Sequence, residues 1–497
     1  MPGSIEVPPT IIPVHLTDPL GMPLQRLTAF AALAATALAH VLLPAGWIQI
    51  IMSIAVFTLL ARDRQFGVLG AAILVLLSLP YDRAANNELM RIAGIPIRPH
   101  DAIVGIAIFM ILPRVRFIRW SLTSAVIAGF LAVGAFALLV GLIAGNELRD
   151  IFRDARWWFM YVLGLLALAG GARRSPIFRG LLIGATVFAI VSIVTTLLPA
   201  TEGGLKARSL VYDRGLLRMQ FGNSVFLIPA ACYAAWRWFG RPSLRSACWL
   251  ILLVAAVTLS LTRTLVLVAL ASVALGAALW GIDRWRARRR ATHRRATVRP
   301  VLGIAGLLIL GLAGGIFVST AEPIIGALTG MARGDTVEDV FDRLLFQGDR
   351  FGVGAIVSGR FNTYVEAMGR IESSPIVGLG LGSLVDAPYA YGGEEFDTPG
   401  KLPNVDDAYL TVGLKAGAIG IAAFAAMMLW PLLVWFHHRR NRLLLWMGPA
   451  WVGVLGLTIT QSFSTTGYSP FTLALVVAAL GGLGYASSRR RFAAAQV

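Results

Sequence analysis

Cysteine is nearly missing from this chain. Its 497 residues hold two, Cys232 and Cys248, so neither a disulfide framework nor a cysteine-based metal site is available. Both lie in or beside apolar runs and read as packing residues. Nucleotide-binding signatures are missing too: there is no P-loop and no Rossmann glycine fingerprint. No internal repeat is evident, nor a pair of broken helices in matching halves, which argues against a secondary transporter. Roughly the first 25 residues lack a basic-apolar-cleavage pattern, so the first apolar run is expected to stay as an anchor. Charge is scarce, at 14% of residues. Acids number 26 against 44 bases, a net charge of +18, but the bases form no stripe of the nucleic-acid-binding kind. They are nearly all Arg, in short clusters between apolar runs, which is the pattern that orients membrane proteins. No nucleic-acid partner is expected.

Apolar residues make up 57% of the chain, more than a soluble domain of this length could hide. They fall in runs long enough to cross a bilayer, and a crossing segment must satisfy its own backbone hydrogen bonds as a helix. Spans are predicted near 27–43, 46–61, 66–80, 101–113, 120–144, 157–171, 177–199, 223–239, 246–260, 264–282, 300–319, 408–436, 443–461 and 469–486. The expected fold class is all-α: a polytopic membrane helical bundle of about fourteen transmembrane helices with a large, partly helical periplasmic loop. Residues 1–319 are expected to hold an N-terminal cytoplasmic tail and helices 1–11, residues 320–407 the loop, and residues 408–497 the last helices and a basic tail.

Connecting segments alternate in character. One set is short and basic, including Arg62 and Arg64, Arg114 to Arg119, Arg173 to Arg179, Arg241 and Arg245, His437 to Arg442, and the tail from Arg489. The strongest, Arg284 to Arg299, carries eight arginines. All fall on one side, which the positive-inside rule makes cytoplasmic, with both termini there. The other set, 81–100, 145–156, 200–222 and 320–407, is longer and mixed in charge. The long loop carries most of the acids. Val340, Phe341, Leu344 and Leu345, and then Phe361, Tyr364, Val365 and Met368, repeat at helical spacing, as surface helices would. The acids of 335–342 suit a solvated helix face better than a cation site. Ser373-Ser374-Pro375 stops the second helix, and Gly378 to Gly382 reads as flexible backbone.

Three outer-side segments offer chemistry. Arg214 to Asn223, containing Arg218, leads into a span. Thr262-Arg263 joins two spans with almost no loop. Ser358-Gly359-Arg360 opens the second loop helix, ahead of Asp406-Asp407-Ala408-Tyr409-Leu410. An arginine at the mouth of apolar helices is costly unless it snorkels, pairs or lines a wet cavity. Arg218, Arg263 and Arg360 together would make an anion site, since guanidinium forks match phosphate oxygens. Snorkelling or pairing with loop acids is the plainer reading of each alone. Asp406 and Asp407 suit either a helix cap or a base. Lys415 is open to a loop acid or an anionic ligand. His100 is a competing base, and Arg153 and Arg156 before Trp157-Trp158 read as interface anchors.

This ordered set resembles the O-antigen ligase and O-antigen polymerase superfamily of bacterial polysaccharide assembly. The resemblance rests on Arg218 to Asn223, Thr262-Arg263, Ser358-Gly359-Arg360, Pro375 with Gly378 to Gly382, Asp406 to Leu410, and Gly417-Ala418-Ile419-Gly420. Two departures stand out. Asp406 and Asp407 replace the ligase His-Asn pair, which looks more like the polymerase branch, and Lys415 replaces an acid. The resemblance implies a metal-independent glycosyltransferase without cofactors, using undecaprenyl-diphosphate-linked oligosaccharide at the periplasmic face of the inner membrane. It implies a polymerase, with a ligase as the alternative and a flippase or transporter as a second. Arg218, Arg263, Arg360, Arg214 and Lys415 are expected to hold the diphosphate. Asp406, Asp407 and Arg360 are expected to act in catalysis. Membrane lipids, and polysaccharide export and chain-length proteins, are the further candidate partners.

Overall fold

The computed structural model describes residues 90–92, 95–97, 121–169, 174–197, 210–211, 217–218, 225–240, 242–259, 263–290, 353–389, 395–402, 404–405, 407–438, 446–460, 473 and 476–477. Of these, 85% are helical, so the helical expectation holds where it can be compared. The elements run β1 (Met90–Ile92), β2 (Ile95–Ile97), α1 (Leu122–Ile143), α2 (Leu148–Phe159), α3 (Val162–Ala169), α4 (Arg174–Leu197), β3 (Leu210–Val211), β4 (Leu217–Arg218), α5 (Leu227–Gly240), α6 (Leu244–Leu259), α7 (Arg263–Arg290), α8 (Val353–Ser373), β5 (Val385–Tyr389), β6 (Glu395–Leu402), α9 (Ala408–His438) and α10 (Met447–Thr460). The strands form three antiparallel hairpins, β1-β2, β3-β4 and β5-β6, which an all-helical reading did not contain. The predicted spans at 27–43, 46–61, 66–80, 101–113 and 300–319 lie outside the described residues, as does most of 469–486.

Among the described residues, three stretches are long and apolar enough to cross a membrane: Leu122–Ile143, Leu265–Arg284 and Ala408–Phe436. Large apolar side chains on them, such as Leu139, Leu267, Leu270 and Leu433, face outward, as lipid-facing residues do. The predicted spans at 120–144, 177–199, 223–239, 246–260 and 443–461 correspond to α1, α4, α5, α6 and α10 within a few residues, and 264–282 to α7, which runs on to Arg290. Ser121 opens α1 through a capping box with Ser124, satisfying N–H groups the first turn would leave bare.

The pass after α1 begins earlier than the sequence suggests. Residues 145–156 read as a loop because of their charges, and 157–171 as a span. Instead α2 starts at Leu148, and α2 and α3 together run back along α1. Helical spacing explains it: Ile151, Ala155 and Trp158 are buried while Arg149 and Phe152 face out. The crossing is close because α1 presents Gly134 to α2. The Trp158 ring lies where a Cβ at Gly134 would sit. It stacks on Phe130 at 4.7 Å and donates to the Phe130 carbonyl at 2.9 Å.

α10 packs antiparallel to both α5 and α7, which run parallel to each other. Gly453 of α10 faces both α5 and α7: a Cβ there would lie 3.1 Å from Ile228 Cγ2 and 3.1 Å from Val268 Cγ1. Further along, Gly276 of α7 meets Pro449 of α10. The first turns of α5 and α7 therefore lie level with the last turns of α10. At the opposite end lie Arg237, Arg245 and Arg284, with the aromatic side chains of Trp236, Trp249, Trp280 and Trp446. Arg284 lies over the Trp280 ring, 5.1 Å from its centroid. Tryptophans beside basic clusters are what a membrane–water boundary selects.

Candidate functional site

The site is organised by a break in α9. At Gly417 the backbone leaves the helix (φ 60°, ψ −157°), and the two arms fold back on each other. The Tyr409 and Phe424 rings lie 5.2 Å apart. In a straight helix fifteen residues would separate them by about 22 Å. A Cβ on Gly413 would meet Ile421 Cδ1 at 2.9 Å, and one on Gly420 would meet Val412 Cγ1 at 3.1 Å. So the predicted single span 408–436 is a short arm, 408–416, laid against a long one, 418–438. The long arm packs antiparallel to α1, with Trp430 Nε1 donating to Thr123 Oγ1 at 3.0 Å and Phe130 against Phe424.

Breaking a helix frees backbone groups that lipid cannot satisfy, at several kcal/mol each. The segment after α8 takes them. Leu379 N donates to Leu414 O at 2.8 Å and Gly380 N to Lys415 O at 3.1 Å. Across the break, Ala418 N donates to Pro375 O at 2.8 Å and Ile419 N to Ile376 O at 3.3 Å. Leu381 N donates to Ala137 O of α1 at 2.9 Å. Asn146 Nδ2 donates to Leu379 O at 3.1 Å and Leu381 O at 2.8 Å. Gly378 to Gly382 is therefore no flexible linker: it is a clasp wedged between α1 and the break. Gly378, Gly380 and Gly382 have φ of 72°, 81° and 86°, and backbone of α1, α2 or α9 stands where their side chains would go. Glycine is used here for close approach as well as for left-handed φ.

The expected residues fall as follows. Asp407 caps the short arm: its Oδ1 accepts from Leu410 N at 2.8 Å. Burial raises its carboxyl pKa above the usual carboxylate value, and the N–H groups of Leu410 and Tyr409 partly oppose this. The Tyr409 side chain lies against Thr458 near the end of α10, so the start of the short arm lies level with the first turns of α5 and α7. Arg263 is the first residue of α7. Arg218 ends β4, which leads toward the start of α5. Arg360 lies within α8, which begins at Val353 and not at Ser358. α8 packs on the short arm through Tyr364, Ala367 and Ile371 against Leu410 and Leu414, and it ends at Ser373, where Ser373-Ser374-Pro375 should stop it. Arg214, Asp406, His100 and the acids of 335–342 lie outside the described residues.

Lys415 ends the short arm and is fully buried. Its ammonium pairs with the equally buried Asp154 of α2 and donates to Ser383 O at 3.2 Å. Of the two partners open to it from sequence, an acid of the segment read as loop and a ligand diphosphate, the acid is present. Asp154 also accepts from Gly382 N at 2.7 Å. Arg153 stands by: its NH1 pairs with Asp150 at 2.7 Å, and its Nε lies 3.7 Å from Asp154. Asp154 and Asn146 were not singled out in the sequence. The signal for Asp154 was an acid at the buried spacing of α2, in a segment whose charge made it look like solvent-facing loop; Asn146, in the turn before α2, gave none.

Residues 248–425 match the family model described as O-Antigen ligase. The match contains Arg263, Arg360, the clasp, Asp407, the short arm of α9 and the first part of its long arm. Over those residues the chain is similar to that family. No curated protein matches the chain.

Proposed function

We propose that this chain, a member of the O-antigen ligase and polymerase superfamily through residues 248–425, is a polysaccharide polymerase of the bacterial inner membrane. Its donor is a saccharide on undecaprenyl diphosphate, and its acceptor is a sugar hydroxyl of a lipid-linked repeat unit at the periplasmic face. The acceptor oxygen attacks the anomeric carbon, inverting it. The carbon–oxygen bond to the diphosphate breaks, the lipid diphosphate departs, and the acceptor proton passes to a carboxylate, Asp406 or Asp407. Arg218, Arg263, Arg360 and Arg214 steady the leaving diphosphate, which needs fixed positive charge. Lys415, committed to Asp154, is left out of that set.

One observation carries the reading. Arg263 occupies the first position of α7, level with the capped start of the short arm. A cation is unfavourable at the positive end of a helix dipole, so α7 gains nothing from it there. An anion between the starts of α5, α7 and the short arm gains from all three. Arg360 approaches on α8, which packs against that arm. The Asp-Asp pair at 406–407 favours the polymerase, while the description of the matched family favours a ligase as the second reading.

Purified protein in nanodiscs, supplied with a lipid-linked repeat unit, should produce a ladder of longer lipid-linked chains. Arg263→Ala and Arg360→Ala should each slow it about a hundredfold or more, as loss of an electrostatic stabiliser does. A deletion strain should accumulate single repeat units. Finding long polymer still on its lipid in that strain would replace the polymerase with the ligase. Movement of the lipid-linked sugar across vesicles without a new glycosidic bond would remove both.

A further inference from the structure

We propose that Asp154 is a positioning residue: through its buried pair with Lys415 it sets the angle of the fold-back arm and so aims Asp407 at the reacting hydroxyl. The proposal rests on the transferase reading of that arm. A continuous span would fix the orientation of residues 408–416 through its own hydrogen-bond ladder. The break at Gly417 removes that constraint. α8 packs on one side of the arm, and the polar ties that replace the ladder next to the vertex meet at Lys415. The Lys415 side chain reaches Asp154 and Ser383 O, and its carbonyl accepts from Gly380 N. Asp154 ties the same point to the clasp by accepting from Gly382 N. Asn146 holds the clasp from the connection between α1 and α2. One carboxylate thus joins α2, the clasp and the short arm.

The lever is long enough to matter. From Lys415 to Asp407 the arm extends about 12 Å, so a swing of ~5° moves its tip by ~1 Å. A misplacement of that size at a reacting centre costs up to about a hundredfold in rate. Neither Lys415 nor Asp154 needs to touch substrate for this role. The pair lies on the clasp side of the arm, and the candidate base lies at its other end.

The test uses the full chain in nanodiscs, with Lys415→Met as the principal variant, because Asp154 keeps its Gly382 N–H donor there. Asp154→Asn is the second variant. In the folded fraction, kcat should fall about tenfold to a hundredfold while KM for the lipid-linked donor stays within about threefold, the signature of an interaction felt at the chemical step. Amide hydrogen exchange should speed up at least about tenfold over residues 408–416 and 378–383, with α5 and α7 unchanged. A folded Lys415→Met protein with wild-type kcat, or with wild-type exchange over the arm, would overturn the proposal. Absence of any transfer by the wild-type protein would instead sink the transferase reading, and the exchange result would still judge whether the pair holds the arm.

Discussion

At the scale of single residues, Asp407 carries two separable roles. As a cap it needs only an acceptor oxygen for Leu410 N; as a base it needs a negative charge. Asp407→Asn keeps the first and loses the second. Thermal unfolding in detergent should therefore be close to wild type for Asp407→Asn, while Asp407→Ala should lose about 1 kcal/mol of cap stabilisation. Both variants should lose transferase activity if Asp407 is the base; an active Asp407→Asn would leave that role to Asp406. The direction of its titration adds a pH dependence. Burial raises its pKa above the ordinary value of about 4. The ionised base is then lost as pH falls through that raised value, so the acid limb of the rate profile should lie above the ordinary carboxylate range. Its contribution to stability runs the other way. The folded state holds the proton more tightly than the unfolded chain, so protonation favours the fold across the same window. Measuring rate and unfolding over one pH series in the wild type and in Asp407→Asn checks both signs. Asp407 was visible in the sequence as a cap or a base. Asp154 was not, because nothing near it in the chain announces a lysine that comes from a distant span.

At the scale of elements, the fold-back helix and the clasp stabilise each other. The helix offers carbonyls and N–H groups at the break, and the clasp offers their complements. Neither could stand in an apolar surrounding alone. Gly417 is the hinge of this exchange, with a left-handed φ and with Ile376 backbone occupying its Cβ position. Gly417→Ala should cost about 1–3 kcal/mol for the strained backbone, with further loss from the collision. Gly129 on α1 has open space where its Cβ would be, so Gly129→Ala should leave stability unchanged or raise it by up to about 1 kcal/mol. Unfolding midpoints for the two variants provide the check; equal effects would contradict the close approach at the vertex. Hydropathy read 408–436 as one span because an apolar run of that length looks the same straight or folded. The Gly-rich run read as flexible for a related reason: glycine serves loose turns and tight approaches alike, and only the neighbouring backbone distinguishes them.

For the whole molecule, the helical register puts Arg237, Arg245 and Arg284 at one end and the start of the short arm toward the other. By the positive-inside rule the first end is expected to be cytoplasmic, which the following labelling tests. In a background of Cys232→Ala and Cys248→Ser, Ala144→Cys at the exposed turn after α1 should react with an impermeant maleimide in intact spheroplasts. Pro242→Cys, at the exposed turn between α5 and α6, should react only after lysis. Reversed labelling would place the candidate site on the cytosolic face and remove the periplasmic donor. What the sequence by itself determined was the class of molecule and the sidedness of its charge. Transfer of apolar runs out of water and the siting of arginines are local, additive properties, readable one segment at a time. What only the tertiary structure decided was the break at Gly417, the clasp that fills it and the pairing of Lys415 with Asp154. Those depend on which backbone groups meet across more than two hundred residues of chain, and a single glycine torsion changes the answer.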